Sequence, residues 1–413
     1  MSEQDVTQAS TLQRPPHDDK KAWKVYWQTQ GQSWRTEPEI DAEQQAFLAE
    51  RRSITPDIEQ GIYPFKGIKL SRADVEWLLA THESSGMRGP VDWKDESQRE
   101  RKGLDLRGAN LSQENLFGLP LARMRGGLPF EEWLLVTEEQ RNLAAIQLQG
   151  TDLRRAQLQG ANFWKAQLQG ANLWRAQLQR AGFVQAQLQG ADLRRTDLDG
   201  NTTLHEVTLS DETYGSVHLA DVRWGDVNLA VVDWEHVTRL GDEQNAHQKK
   251  DTEGETKDKR TRIDDYKEAV RANRQLAIVL REQGLNEVAD HFAFRAQKLQ
   301  RVVLRRQRKL LKYAFSCFLS VVAGYGYRPY RCLMIYFLAV IGFTLAHYIV
   351  GAVAGQPLTF LNALAVSVQS LHGRLFSFQS SDPQTLLNTI EAFVGLFIEA
   401  IVVAVITQRI LGK

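Results

Sequence analysis

The chain lacks most of the patterns that enzyme chemistry needs. Two cysteines in 413 residues, Cys317 and Cys332, rule out a disulfide framework. No glycine-rich phosphate loop, zinc-ligand spacing or nucleophile elbow occurs. His205, His218 and His236 are scattered without the spacing of metal ligands. The sequence therefore reads as a non-enzyme with no cofactor and no metal. From Cys332 to Gly373 there is no Asp, Glu, Lys or Arg. An apolar stretch of that length predicts at least one membrane helix of about 20 residues. The first hundred residues are polar and charged, so no cleavable signal sequence is expected before it.

A repeat of five residues fills the middle of the chain. Leu or Phe stands at 148, 153, 158, 163, 168, 173, 178, 183, 188, 193 and 198, with Ala two residues earlier in most pentads. After Gly200 one residue is added, and the apolar series resumes at Leu204, Leu209, Tyr214, Leu219, Trp224, Leu229 and Trp234. Leu106, Leu111 and Leu116 form an earlier short array. A period of five fits neither a helix nor a flat strand. It fits a coil with four short sides whose fifth-residue apolar groups point inward, and such coils bury themselves only by stacking. The pattern resembles the pentapeptide-repeat family, which implies a right-handed quadrilateral β-helix, a β-solenoid. At roughly 4.8 Å per coil, four to five coils give a height of about 22–24 Å.

Charge is uneven along the solenoid although the net charge is only +1. Arg154, Arg155, Lys165, Arg175, Arg180, Arg194 and Arg195 outnumber Asp152, Asp192 and Asp197. Beyond 199 the balance reverses, with Asp199, Glu206, Asp211, Glu212, Asp221, Asp226, Asp233 and Glu235 facing Arg223 and Arg239. Gln flanks Leu148, Leu158, Leu168, Leu178 and Leu188 on both sides, so amide ladders are expected along two opposite faces. Residues twenty apart share a face. That stacks Arg154, Trp174 and Arg194 in one column and Arg155, Arg175 and Arg195 beside it, a candidate stripe for an anionic partner. Some pentapeptide-repeat proteins mimic DNA through a strongly acidic surface; this longer array is basic, and no nucleic-acid partner is expected.

The remaining segments divide by composition. Residues 1–20 read as a disordered tail and 21–102 as a cap over the open solenoid end. Within the cap, Ser71-Arg72-Ala73-Asp74 predicts a capped helix start. The solenoid is expected over 103–240, with an insert at 119–145 that is helical from about Phe130. Residues 241–262 read as a flexible charged linker. A helical hairpin over 263–328 would act as a lever, its second helix running unbroken from Asn286 towards Ala323, about 57 Å. Residues 329–413 are the membrane domain.

Within that domain, spans are expected near Leu333–Ala354 and Leu386–Ile406. Thr359 to Leu371 is amphipathic and too short to cross, so it is expected to re-enter or lie at the interface. Arg295, Lys298, Arg301, Arg305, Arg306, Arg308, Lys309 and Lys312 precede the first span, Arg328 and Arg331 flank it, and Arg409 and Lys413 follow the second. Only Arg374 lies between, which predicts both termini in the cytoplasm of a cell with this protein in its inner, plasma membrane.

From Arg331 to Lys413 the chain resembles the pore module of the two-helix potassium-channel superfamily. Phe360 to Val368 resembles a pore helix ending at Ser370-Leu371, and Glu391 to Phe397 resembles the start of an inner helix with Gly395 at a hinge-like place. The resemblance implies a bacterial homo-oligomer, a tetramer as first guess. Where a potassium filter is written T-V-G-Y-G, this chain has Ser370-Leu371-His372-Gly373-Arg374, so no potassium filter is expected. Ser370, His372, Gly373, Arg374, Glu391, Gly395 and Glu399 are the candidate pore residues. Glu391 and Glu399 share one side of a helix, Glu399 the deeper, facing water or one of His347, His372 and Arg374. The alternative is a neutral carboxyl held between helices. Two functions are carried forward: a channel-like protein whose solenoid gates the pore or recruits a cytoplasmic partner, and a non-conducting scaffold tethered to the bilayer.

Overall fold

The computed structural model describes residues 14–251, 254–322, 324–327, 330–353, 357–373 and 383–411. Residues 1–13 of the tail expected at 1–20, the flanking Arg328 and the candidate pore residue Arg374 lie outside these residues. The chain divides into two compact units, Met1–Phe292 and Ala293–Lys413.

The first unit is built around the coils. Successive coils pair in parallel, Gln147 with Gln167 and Asp152 with Asn172, twenty residues on, so one turn takes four pentads. The apolar series is buried as its spacing demands: Leu148, Leu158, Leu168, Leu178 and Leu188 are all fully inaccessible, and the small residues Ala156, Ala166 and Ala176 lie inside with them. Phe163 and Phe183 stack one coil apart, ring centroids 5.0 Å. At the corners the backbone turns left-handed every five residues: Gly150, Arg155, Gly160, Lys165, Gly170, Arg175. Glycine adopts that geometry freely, whereas each bulky residue there is held against a local cost of roughly 1–2 kcal/mol.

Bridge spacing locates three interruptions. Asn110 pairs with Gln147 and Arg125 with Asn162, thirty-seven residues on. The inserted segment lies after that first coil and carries α4 (Phe130–Trp133) and α5 (Glu138–Ala144). The expected insert at 119–145 was therefore too wide. Leu119, Leu121 and Met124 belong to the buried coil, and Pro120 bridges Gln157. Gly182 pairs with Thr203, which accommodates the extra residue after Gly200, and Asp192 pairs with His218. The further five residues loop out as the hairpin β3 (Ser210–Asp211) and β4 (Gly215–Ser216). Tyr214, expected to point inward with its series, is 50% exposed at that hairpin, because its pentad has left the coil.

The N-terminal region closes one end. It holds α1 (Lys20–Thr29), α2 (Ala42–Ser53), α3 (Arg72–Ala80), β1 (Glu83–Ser84) and β2 (Met87–Arg88). Ser71 and Asp74 form the capping box of α3. Lys69 bridges Asn110 of the first coil. Arg72 donates to the carbonyls of Asn115 and Phe117 while paired at 2.7 Å with the buried Glu76. Backbone groups that a further coil would satisfy are met here by the cap.

The other end is closed by helices, so residues 241–247 are not the flexible linker that was expected. α6 (Gly241–His247) lies within residues expected to be flexible, yet Leu240, Asp242, Glu243 and Ala246 are buried. Asp242 accepts from the backbone N–H of Leu219 and Ala220. α7 (Lys259–Glu282) supplies amides where the next coil would stand. Asp221 N–H donates to Gln275 and Leu229 N–H to Gln283, whose own amide donates to Val227 O. The expected unbroken second helix is two helices, α8 (Asn286–Arg306) and α9 (Leu310–Val322), separated where Arg308 turns left-handed at φ 58°.

In the second unit, α10 (Tyr330–Val353), α11 (Phe360–Leu371) and α12 (Pro383–Leu411) pack against one another. α10 and the Thr385–Val403 part of α12 are long and apolar enough to cross a membrane. Leu338, Ile341, Ile349, Phe393, Leu396 and Phe397 are exposed on this unit.

Candidate functional site

Two constellations bring together residues singled out by the sequence. The first lies among α10, α11 and α12. The face that α11 buries is Ala363, Ser367, Ser370 and Leu371, spaced i, i+4, i+7 and i+8 along one helical stripe. It meets Glu391, which is wholly buried. His347 Nε2 stands 2.8 Å from one Glu391 oxygen, and Ser367 Oγ contacts the other while also facing the Val340 carbonyl. Ser370 Oγ donates to Asn388 at 3.0 Å, and Thr344 donates to Val340 O. Gly395 is required where it stands, since a Cβ there would overlap the Leu371 carbonyl.

This arrangement satisfies itself without net charge. If Ser367 donates its one hydrogen to Val340, the Glu391 carboxyl donates to Ser367 and accepts from His347 Nε2–H. His347 Nδ1, buried without a partner, is then a lone pair rather than a stranded donor. Glu399 has beside it one of the partners expected for it, His372, while another, His347, is taken by Glu391. Glu391 is sealed among the helices and takes His347, whereas Glu399 is 46% exposed, 3.7 Å from His372. His372 and Glu399 line a small cleft with Gly373 and Leu396. Ser367, Asn388 and Thr344 were missed by sequence reasoning. Ser367 with Ser370, and Asn388 with Glu391, are polar pairs at i, i+3 in apolar helices, and that spacing is the signal that marks them.

The second constellation is on the solenoid face, and its columns sort differently from expectation. Arg154 and Arg194 fold back onto Asp152 and Asp192 of their own pentads, at 2.7 and 2.6 Å, and Arg194 also reaches Glu268 of α7. Their stacking on Trp174 does not occur. Trp174 instead meets the neighbouring column, with the guanidinium carbons of Arg155, Arg175 and Arg195 at 5.6, 4.4 and 5.9 Å from its ring. Phe117, not foreseen, extends the stripe beneath Arg155. The amide ladders run coil to coil: Gln149 donates to Gln167, Gln159 to Gln177 and Gln169 to Gln187.

Where α6 and α7 meet the solenoid, buried titratable groups collect. Burial pushes the Asp242 carboxyl up to about 7 against its backbone donors and Arg194. Burial likewise holds His218 down to about 4. Among the described residues no group of three or more His, Cys, Asp or Glu is placed to hold a metal ion.

The coils, their inward series and the four-pentad turn define a β-solenoid. Residues 142–175, 165–200 and 175–211 match the family model for pentapeptide repeats, and the chain carries a pentapeptide-repeat domain. A solved pentapeptide repeat protein (Rfr23) from the cyanobacterium Cyanothece 51142 is 28% identical over 30% of this chain and 65% of that one, TM-score 0.19. HetL, a pentapeptide repeat protein involved in heterocyst differentiation regulation from a Nostoc strain, is 23% identical over 31% and 54%, TM-score 0.12. A pentapeptide repeat protein from the Arabidopsis thaliana thylakoid lumen is 22% identical over 30% and 70%, TM-score 0.14. This chain spans less than two thirds of the length of the first two. No curated protein matches it.

Proposed function

We propose that the chain is an integral membrane protein of channel-like build, in which several copies of the α10–α11–α12 unit surround water and the solenoid gates that unit or recruits a cytoplasmic partner. One observation carries this reading. α11, about 18 Å long at 1.5 Å per residue, is too short to cross a bilayer, yet it packs against both helices that are long enough. Irregular backbone at membrane depth is tolerated where protein or water covers it, and the resemblance to a two-helix pore module rests on this order of span, short helix, span. Among the described candidate pore residues, His372 and Glu399 are exposed beside the end of α11 and available to an axis, whereas Glu391 is buried. The test is the mass of the purified protein in detergent, followed by planar-bilayer recording. A ring of subunits and a conductance altered by Glu399→Gln would support the reading. A monomer, or silence under every ionic condition, would overturn it.

The tethered scaffold is favoured by a different observation, the sealing of Glu391 within a single copy. On that reading the helices only anchor, and the exposed Arg155, Arg175 and Arg195 stripe does the binding. Reversing those three charges would then abolish partner capture, while Glu399→Gln would change nothing.

A further inference from the structure

The cap over the solenoid holds a cleft that closing an open end does not require. It measures about 830 Å³ and is lined by Arg14, Arg35 and Arg88 with Trp34 and Trp77. Glu39 is the carboxylate lining it, and it is taken by Arg35 at 3.2 Å. Arg35 is 4% exposed. Its guanidinium lies 3.5 Å from the centre of the Trp27 ring, and one terminal nitrogen donates to Gln32 at 3.2 Å. Its Nε hydrogen, though buried, has no acceptor.

The positive charge continues around the cleft. Arg88 lies on β2, where its Nε meets the Ala80 carbonyl at 3.4 Å. Arg52 donates to the carbonyl and hydroxyl of Thr81, itself a lining residue, and its guanidinium stands over Trp77. Burial lowers both Arg35 and Arg52, and the charge of Arg88 lowers Arg52 further. Among the described residues no carboxylate lies within ion-pair distance of Arg14, Arg52 or Arg88. A group of guanidiniums short of anions, one with an unused buried donor, suits a bound oxyanion, because planar donor forks match phosphate oxygens.

We propose that this cleft binds a small organic phosphate carrying a flat ring, with Arg35, Arg88 and Arg14 on the phosphate and Trp34 and Trp77 against the ring. The cap then serves as a ligand-sensing element as well as an end closure. The site is independent of whether the C-terminal helices conduct.

The test is titration of the full-length protein in detergent with phenyl phosphate, read by tryptophan fluorescence and calorimetry. Saturable binding is expected, weakened about tenfold or more in the Arg14→Ala/Arg88→Ala double variant. Both side chains are exposed, so the variant should melt at the wild-type temperature. Trp34→Leu should weaken phenyl phosphate while leaving inorganic phosphate unchanged. Absence of saturation at millimolar ligand would overturn the site, as would equal affinity in wild type and double variant.

Discussion

The interior of the solenoid and the interior of the C-terminal unit solve one problem in opposite ways. Both must bury polar groups beside apolar ones. In the solenoid, glutamine amides meet another glutamine one coil away, as Gln159 meets Gln177 and Gln169 meets Gln187. In the C-terminal unit Glu391 is held by a serine and a histidine from two other helices, with no second copy of the arrangement. Periodicity makes the first solution robust and readable, since any coil predicts the next. The second depends on three helices meeting in one register, and a single substitution can strand what remains.

The largest effect should come from breaking the periodic core. Phe163→Ala removes a ring that is fully buried and stacked on Phe183, leaving a cavity between coils that rigid backbone ladders cannot close. A loss of about 3–5 kcal/mol is expected, measured by guanidinium unfolding followed through tryptophan emission. Because coils contact only their neighbours, hydrogen exchange should rise most around Ala161–Thr203. Uniform exchange across the whole solenoid would deny that locality.

The unrepeated cluster should answer to chemistry rather than to volume. Glu391→Ala leaves His347 and Ser367 without their partner and should cost about 2–4 kcal/mol. Glu391→Gln keeps an acceptor and a donor in place and should cost about 1 kcal/mol or less if the cluster is neutral. Thermal unfolding of both variants in one detergent separates the cases. Equal losses would mean that Glu391 is ionised and paired with a charged histidine.

The same contrast explains what the sequence disclosed. Spacing alone located the coils, the series from Leu148 to Leu198 and the extra residue after Gly200, because five-residue periodicity is a local property. The length of the apolar runs placed α11 and both long apolar helices. Spacing did not show that Tyr214 leaves the coil, since a pentad looped out as a hairpin keeps its apparent period. The segment from Gly241 to His247 looked like a linker because its composition is polar. Its order comes from Asp242 meeting the backbone of Leu219 and Ala220, contacts across 23 and 22 residues. Trp174 was assigned to the wrong arginines for a related reason. Columns follow from the repeat, but Arg154 and Arg194 have an aspartate two residues back, and that nearer partner wins.

The smallest effect would test the closure at α6, where two buried groups pull stability in opposite directions with pH. Asp242 titrates near 7 when folded against 3.8 unfolded. Between those values the folded chain holds a proton that the unfolded chain has released, so stability falls as pH rises. His218 titrates near 4 when folded against 6.5 unfolded. Through that window the unfolded chain holds the extra proton, so stability rises with pH. The two slopes, each at most about 1.4 kcal/mol per pH unit, oppose one another from about pH 4 to 6.5, and the wild type should be nearly flat there. His218→Gln should leave a stability that declines across the window, and Asp242→Asn one that climbs, each by about 1–2 kcal/mol in urea unfolding at pH 4.5 and 6.5. Two variants as flat as the wild type would mean that water reaches both groups, and that α6 does not seal the last coil.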